Sequence, residues 1–254
     1  MMKTEIVINP DYAHLRPYIT SIAESGVGAD ARLIYRARNS VYAVDAGGAK
    51  LNVKDFRRPS FPNDYVYTHL RKSKAARSYL NAMCLLELGV DTPTPVAYIE
   101  KTEGGRLSNS YYISLQLDHI HDMRLWLDSP QAMQAVPALA RFLYTLHCKG
   151  VWHKDFSPGN ILFSEDAAAK DGYRFYLVDL NRMEFGVHDC GRQLRNLAVI
   201  YIESEEETAR FARLYAEAAG LDSATTAATA LRLLRRYKDS KRRRDRLKAI
   251  IKHK

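Results

Sequence analysis

The chain carries a two-part motif that few folds accommodate. Its first part is His153-Lys154-Asp155 with an asparagine, Asn160, five positions after the aspartate. An apolar run then ends at Asp179. This order supplies one carboxylate that can orient a hydroxyl group, followed by two oxygen ligands for magnesium. It therefore predicts a phosphoryl-transfer site formed by a loop and two short strands.

Each motif residue has a predicted role. Asp155 orients the acceptor hydroxyl and takes its proton, whereas His153 braces the loop backbone. The amide oxygen of Asn160 and the carboxylate of Asp179 are hard ligands suited to Mg²⁺. Taken singly, these residues suit a loop, a turn and a strand end. The spacing from His153 to Asn160 arises by chance in only about one chain in a hundred of this length.

A kinase also needs cations on the nucleotide phosphates. Lys54, at the end of a predicted strand, is the candidate, and the turn Arg38-Asn39-Ser40 offers a cation and backbone amides to cover the phosphates. No acidic residue lies between Asp64 and Glu87. The helix predicted there therefore offers no carboxylate to Lys54, and we expect Lys54 to lack its usual ion-pair partner.

The first half of the chain shows strand patterns with one helix among them. Alternating or β-branched residues predict strands at 33–37, 41–45, 49–54, 96–99 and 111–115. Between the third and fourth of these, helical spacing from about 64 to 88 predicts a helix that ends at Gly89 and buries Leu80, Met83, Cys84 and Leu88.

The second half is mostly helical. Apolar residues repeat at three and four positions over about 130–149, namely Met133, Val136, Leu139, Ala140, Leu143 and Leu146. Short strands are predicted at 161–164 and 174–178, and helices at about 190–201, 205–219, 223–237 and 240–251.

These patterns predict an α+β fold with two lobes. Residues 1–118 form a sheet-rich, nucleotide-binding lobe with a small antiparallel sheet and one main helix. Residues 119–254 form a mostly helical catalytic lobe that ends in a basic helix at 232–254. A chain of 254 residues is long enough to bury a core in such an arrangement.

Several segments resemble the protein-kinase-like fold and, more narrowly, the lipopolysaccharide core sugar kinases, the Kdo/heptose kinase family. They are residues 51–57, 72–79, 85–89, 93–95, 153–162 and 178–186. The resemblance implies transfer of a phosphoryl group from ATP to a hydroxyl of an inner-core sugar. It also implies Mg²⁺ as cofactor and the lipopolysaccharide core glycolipid as substrate.

The motifs favour a glycan or small-molecule acceptor over a peptide. Protein kinases that act on serine usually place a lysine two residues after the catalytic aspartate, whereas here Ser157 stands there. Asp179 is followed by Leu180 and Asn181, without the D-F-G triplet or an A-P-E segment. Two alternatives stay open: a kinase of another small molecule or of a protein, and a catalytically silent scaffold that binds membranes or partners.

Positive charge is concentrated at the end of the chain. Residues 232–254 hold twelve Lys or Arg against two Asp, a net of +10, so the other 231 residues sum to −1 of the total +9. This segment is predicted to bind an anionic inner-membrane surface, the alternative being a solvated helix end. It lacks the interleaved aromatic residues of single-strand binders, so we expect no nucleic acid partner.

The sequence also bears on location. The first residues contain no signal-peptide core, and no stretch approaches the roughly 18 apolar residues of a membrane span. We therefore expect a cytoplasmic protein that associates peripherally with the inner membrane.

The remaining motifs have structural interpretations. Cys84, Cys148 and Cys190 stand too far apart for a paired zinc site and are expected to be buried. The G-x-G-x-x-A pattern at 26–31 precedes a strand, so it is interpreted as a loop. His119 and His121 are interpreted as a polar link between the lobes, with a two-histidine metal site as the alternative.

Overall fold

The computed structural model describes residues 2–58, 71–127, 129 and 132–252. The chain divides into two units. Unit 1 combines Met1–His119 with Tyr176–Arg182, and unit 2 combines Ile120–Phe175 with Met183–Lys254. The segment that contains Asp179 therefore belongs to unit 1, although it follows most of the catalytic motif in sequence.

Unit 1 is built on a six-stranded antiparallel sheet with the order β1-β5-β6-β4-β3-β2. The strands are β1 (Met2–Ile8), β2 (Arg32–Arg36), β3 (Ser40–Ala46), β4 (Ala49–Phe56), β5 (Pro95–Glu103) and β6 (Arg106–Leu115). Five of them are predicted from the sequence. β1 escapes prediction because its side chains are mostly exposed and show no two-residue alternation.

A two-residue turn joins β3 to β4, the strand that carries Lys54. Gly47 and Gly48 form it with φ of +66° and +95°. Glycine adopts such values without a Cβ clash, and turns of this twist match that of paired strands. The turn sets the register that places Val41 opposite Lys54.

The helix α1 (Arg16–Ser25) covers part of this sheet and is not predicted from the sequence. Its residues Ile19, Ile22 and Ala23 join one buried cluster with Leu51 and Ile113 of the sheet. This core holds β4, the strand that carries Lys54, in place.

The helix α2 (Lys74–Glu87) packs against β5 and β6. Its buried residues are Ala75, Ala76, Ser78, Tyr79, Ala82 and Leu85. The predicted face of Leu80, Met83, Cys84 and Leu88 is wrong, since Leu80 is exposed and the other three are only partly buried. The buried face combines three alanines and Ser78 with Tyr79 and Leu85, and it therefore differs from the predicted one. Residues 64–70 of the predicted helix lie outside the described residues.

Unit 2 contains short strands and most of the helices. In chain order these are β7 (His121–Asp122), α3 (Met123–Trp126), α4 (Ala132–Cys148), β8 (Trp152–His153), β9 (Ile161–Glu165), β10 (Tyr173–Leu177), β11 (Met183–Glu184), α5 (Cys190–Gln193), α6 (Glu205–Ala219) and α7 (Ser223–Lys252). The boundary between the units falls within β10. The predicted helix at 190–201 is α5 continued by a 3-10 helix, Leu194–Val199.

Two small sheets frame the catalytic motif. One has the order β10-β9-β7, and the other pairs β11 with β8, so that Met183 lies opposite His153 and Glu184 opposite Trp152. Five residues of the predicted apolar face of α4 are buried, namely Val136, Leu139, Ala140, Leu143 and Leu146. The side chain of the sixth, Met133, lies outside the described part of the structure.

The C-terminal helix α7 is continuous, so the prediction of two helices at 223–237 and 240–251 is wrong. No glycine or proline interrupts it after Ser223. Ala227, Ala230 and Leu234 are buried, whereas residues 241–247 are exposed. Within the described residues, no helix has the length and apolarity that a membrane span requires.

The cysteines form no disulfide. The expectation that all three are buried is wrong, because Cys148 and Cys190 are exposed and Cys84 is partly buried. Cys148 is the last residue of α4 and Cys190 the first of α5, where a side chain can face solvent.

Candidate active site

Lys54 and Asp179 form an ion pair within unit 1. The Lys54 ammonium lies 2.5 Å from Oδ1 of Asp179, and the two side chains are 19% and 30% exposed. Lys54 therefore has a carboxylate partner, contrary to the expectation that the absence of an acidic residue on α2 leaves it unpaired. A partly buried, hydrogen-bonded pair of this kind fixes both groups in place.

The backbone at Asp179 is in the left-handed region, with φ of +57°. Non-glycine residues adopt this conformation uncommonly, and aspartate and asparagine are among those that tolerate it best. The Asn181 amide donates a hydrogen bond of 2.7 Å to Oδ1 of Asp179. The carboxylate is thus positioned by a neighbour two residues away as well as by Lys54.

The helix α2 holds the Asp179 segment through hydrogen-bond donors. The Asn81 amide donates to the carbonyl of Leu180 at 2.7 Å, and the Arg77 guanidinium donates to the carbonyl of Asn181 at 2.8 Å. In protein kinases, a helix carboxylate usually faces the lysine that corresponds to Lys54. Here the helix instead anchors the backbone after the carboxylate that pairs with Lys54.

A further lysine lies near this ion pair. Lys74 begins α2, and its ammonium lies 5.9 Å from the centroid of the Phe56 ring, which the Lys54 ammonium approaches to 5.3 Å. Burial, followed by the charge of Arg38, lowers the pKa of Lys74, while Asp179 opposes this change. Arg38, Lys54, Lys74 and Asp179 together are called the cation cluster below.

The predicted phosphate-covering turn lies between β2 and β3. Arg38 is exposed and Asn39 partly buried, whereas Ser40 is only 2% exposed and starts β3. The side chain of Ser40 is therefore not open to a ligand. The charge of Arg38 lowers the pKa of Lys74, so Arg38 is near enough to Lys74 to affect it electrostatically.

In unit 2, the candidate catalytic loop (residues 153–160, called the catalytic loop below) is organised by its own side chains. Nδ1 of the buried His153 accepts a hydrogen bond of 3.0 Å from the Asp155 N–H, as expected of a residue that braces the backbone. The Asn160 amide donates to the Asp155 carbonyl at 2.8 Å and to the Ser157 hydroxyl at 3.3 Å. The structure thus brings Asp155 and Asn160 together in one turn.

These contacts orient the Asn160 side chain. A carbonyl oxygen only accepts hydrogen bonds, so the atom next to the Asp155 carbonyl is the amide nitrogen. The amide oxygen, Oδ1, is then the atom that can serve as a metal ligand. An amide oxygen here and a carboxylate at Asp179 are the donor types that Mg²⁺ prefers, so the residues fit this ion.

A buried relay of hydrogen bonds fixes the start of the loop, and sequence reasoning missed it. Asn196 donates from its amide to the His153 carbonyl at 2.8 Å, and its Oδ1 lies 3.1 Å from Nε2 of His147. Since that oxygen can only accept, His147 donates from Nε2, and its Nδ1 accepts from the Tyr215 hydroxyl at 2.8 Å. Burial lowers the pKa of His147 to about 4, which keeps the ring neutral.

A charged bridge fixes the other side of the loop. Glu184 in β11 accepts hydrogen bonds from Lys154 and Arg192, which hold the pKa of its carboxyl below the usual range. The Arg192 guanidinium also lies 4.4 Å from the centroid of the Trp152 ring. Lys154 is the residue between His153 and Asp155, so this bridge ties the motif to the β8–β11 pair.

Comparison of the sequence with known protein families identifies the family of this chain. The model of the lipopolysaccharide kinase (Kdo/WaaP) family matches residues 34–238, which include every residue of the motif. The chain belongs to the lipopolysaccharide kinase (Kdo/WaaP) family. It is therefore a phosphotransferase that acts on an alcohol group of a sugar. A comparison with curated proteins gives no match.

Solved structures show the fold of this lipopolysaccharide kinase. One is WaaP in complex with acyl carrier protein, with a TM-score of 0.61, 20% identity, and coverage of 91% of this chain and 98% of that one. Another is a microcompartment-associated aminopropanol kinase, with a TM-score of 0.50, 12% identity, and coverage of 89% and 98%. A third is the Rio2 kinase from Chaetomium thermophilum, with a TM-score of 0.48, 19% identity, and coverage of 90% and 79%. The first two of these structures confirm the protein-kinase-like α+β fold predicted from the sequence.

Two other motifs of the lipopolysaccharide kinase have ordinary structural roles. Residues 26–31 form the loop between α1 and β2, as predicted. His121 lies in β7 with its ring 5.4 Å from that of Phe163, whereas His119 lies outside any strand, which contradicts a pair of metal ligands on one strand. Across the described ranges, no cluster of three or more His, Cys, Asp or Glu is arranged to hold a metal.

Proposed function

We propose that this lipopolysaccharide kinase transfers the γ-phosphoryl group of ATP to a hydroxyl of an inner-core sugar, either Kdo or a heptose. The family match over residues 34–238 carries the proposal. The pairing of Lys54 with Asp179 supports it, because a kinase needs a fixed cation and a metal-binding carboxylate near the nucleotide phosphates.

Nucleotide binding is assigned to unit 1 residues. Lys54 contacts the phosphates, and the turn of Arg38, Asn39 and Ser40 covers them, Ser40 through its backbone alone. Asp179 and Asn160 are the proposed Mg²⁺ ligands. When bound, Mg²⁺ neutralises charge on the phosphate oxygens.

Asp155 is the proposed catalytic base. As the acceptor oxygen forms its bond to the γ-phosphorus, the bond from that phosphorus to the bridging oxygen of ADP breaks, and the acceptor proton passes to Asp155. The hydrogen bond from its N–H to His153 holds the Asp155 backbone in place. Because the loop conformation is fixed before the substrate binds, little free energy is spent on rearranging it during the reaction.

Comparing glycolipid from cells with and without the protein tests the acceptor. We expect mass spectrometry to show core glycolipid that carries one more phosphate group when the protein is present. Identical phosphate content in both strains would reject an inner-core sugar as the acceptor.

Purified protein distinguishes the remaining alternatives. Incubation with labelled ATP and either core glycolipid, candidate small metabolites or protein shows which acceptor takes the label. Label in a metabolite or a protein instead of the glycolipid would support the alternative kinase. Absence of any magnesium-dependent ATP turnover would support the silent scaffold.

The exposed end of α7 is the proposed contact with the anionic inner-membrane surface, which would place the enzyme on its cytoplasmic side. Residues 241–254 hold eight Lys or Arg against one Asp. Each such charge contributes roughly 1 kcal/mol near an anionic surface.

A truncation tests this contact, and its position matters. Removing residues 232–254 would delete the buried Leu234 and Arg235, which pairs with Glu205. Ending the chain at Ser240 leaves both in place. We expect the full chain, but not this truncation, to bind anionic vesicles and to release them as salt increases. Equal binding by the two proteins would contradict a membrane role for the basic end.

A further inference from the structure

The cation cluster carries more positive charge than its carboxylate balances. Lys54 is paired with Asp179 at 2.5 Å, while Arg38 and Lys74 add two further charges in the same neighbourhood. Within the described part of the chain, no acidic side chain forms a salt bridge with Lys74. The cluster therefore has a net positive charge that an anionic ligand would neutralise.

The position of Lys74 is defined by the fold. It is the first residue of α2, directly after Ser73, whose hydroxyl accepts a hydrogen bond of 3.0 Å from the Ala76 N–H. This cap fixes where the helix begins and hence where the Lys74 side chain starts. The side chain is partly buried, and its ammonium faces the same Phe56 ring as that of Lys54.

A partly buried lysine beside other cations is unfavourable without a ligand. Burial and the charges of Arg38, Arg77 and Lys54 all lower the pKa of Lys74, and only Asp179 acts against them. Arg77 is already engaged, since its guanidinium donates to the carbonyl of Asn181 at 2.8 Å. Lys74, whose described contacts are with an aromatic ring, keeps its hydrogen-bond donors for a ligand.

We propose that Lys74 is a second phosphate-binding lysine of this kinase, acting with Lys54 on the polyphosphate chain of the nucleotide. The inference rests on the proposed function, because it takes the cation cluster as the nucleotide site. Both ammonium groups lie near one ring, so a single polyphosphate chain can reach both. Lys74 thus occupies the helix that would otherwise present a glutamate to Lys54, and it supplies a cation there.

The test is a phosphate-count series on the full chain. The affinities of AMP, ADP and ATP, each with magnesium, are measured by calorimetric titration for the wild type, Lys74→Gln and Lys74→Arg. We expect Lys74→Gln to weaken ATP binding roughly tenfold or more, ADP binding less, and AMP binding hardly at all. Lys74→Arg, which keeps the charge, should retain most of the ATP affinity.

Lys50→Gln is the matched control. Lys50 lies on the same strand as Lys54, but it pairs with Asp118 on the exposed surface. We expect its nucleotide affinities to equal those of the wild type. The unfolding midpoint of Lys74→Gln should also stay near that of the wild type, since the substitution removes repulsion between like charges.

The outcomes separate the inference from the proposed function. Equal losses for AMP, ADP and ATP would show a structural role for Lys74 and overturn the inference, as would unchanged ATP affinity in Lys74→Gln. A wild-type protein that binds none of the three nucleotides would instead overturn the proposed function on which the inference rests.

Discussion

The cation cluster of unit 1 and the catalytic loop of unit 2 differ in how fully their polar groups are paired. In the loop, His153 and Asn160 make hydrogen bonds to the backbone at Asp155, and Asn196 makes one to the His153 carbonyl. In the cluster, Lys54 pairs with Asp179, while Lys74 forms no salt bridge with an acidic side chain of the described residues. The hydrogen bonds that hold the loop are formed without a ligand, whereas the cluster carries a net positive charge.

The difference indicates how the two parts contribute to the reaction. Hydrogen bonds that are formed before the substrate binds keep a catalytic group in position. Their loss should therefore reduce both the free energy of unfolding and the rate of phosphoryl transfer. Excess positive charge contributes little to folding but favours an anionic ligand. Substitution of Lys74, which has no salt-bridge partner among the described residues, should therefore affect nucleotide binding and leave stability nearly unchanged.

The largest expected effect comes from removing the shared carboxylate. Asp179→Ala should abolish phosphoryl transfer and the dependence of ATP affinity on magnesium. ATP affinity without magnesium should stay the same or increase, because the cations then lack their counter-ion. Calorimetric titration with and without magnesium measures both affinities.

Asp118→Ala is the control for this prediction, since Asp118 pairs with the exposed Lys50 of the same unit. Its ATP affinity should depend on magnesium as in the wild type. An Asp179→Ala protein whose ATP affinity still increases with magnesium would contradict the metal-binding role.

A substitution in the buried relay behind the catalytic loop should reduce stability. Asn196→Ala leaves the Nε2–H of His147 and the carbonyl of His153 without their partner, which we expect to lower the free energy of unfolding by about 3 kcal/mol. Both tryptophans, Trp126 and Trp152, belong to unit 2, so urea unfolding followed by their fluorescence reports on it. Alanine at the exposed Lys170 should change this value by less than about 0.5 kcal/mol.

The same relay predicts an acid limit to stability. The pKa of His147 is about 4 in the folded protein and near 6.5 when unfolded, so between these values the unfolded state binds more protons. Stability should therefore be independent of this group above about pH 6.5 and fall below it, by about 2 kcal/mol at pH 5.

Unfolding midpoints at several pH values measure this effect. His147→Gln should remove this part of the pH dependence, while His188→Gln, at an exposed histidine of the same unit, should keep it. A wild-type midpoint that stays constant from pH 7 to about pH 5 would show that His147 is not held neutral by burial.

Much of the fold follows from sequence patterns, and the failures have physical causes. Strands β3 to β6 follow from alternation and turn residues, because each has buried positions along one face. Strand β2 is exposed throughout and follows from its β-branched and aromatic residues. Half of the buried residues of α2 are alanines, which carry little weight in an apolar pattern. The sequence predicts a break in α7 near residues 238–240 that the structure does not contain. Charge and apolar periodicity change at these residues, but neither change requires the helix to end there.

For the site, the sequence indicates the residues of the motif but not their partners. Lys54, Asp155 and Asn160 stand at predictable positions on a strand and a loop. The pairing of Lys54 with Asp179 joins residues 125 positions apart, and Asn196 reaches His153 across 43 positions. Such contacts depend on tertiary structure, so local patterns do not indicate them. The serine-lysine pair at 73–74 was a usable signal for a cation at a helix start.

The most direct test of the account is transfer of phosphate by purified protein. Wild type and Asp155→Ala are each incubated with magnesium, ATP and inner-core glycolipid, and the glycolipid is analysed by mass spectrometry. We predict that the wild type adds one phosphate group and that Asp155→Ala adds none, although both bind ATP with similar affinity. Wild-type turnover in Asp155→Ala, or glycolipid left unchanged by the wild type, would contradict the account.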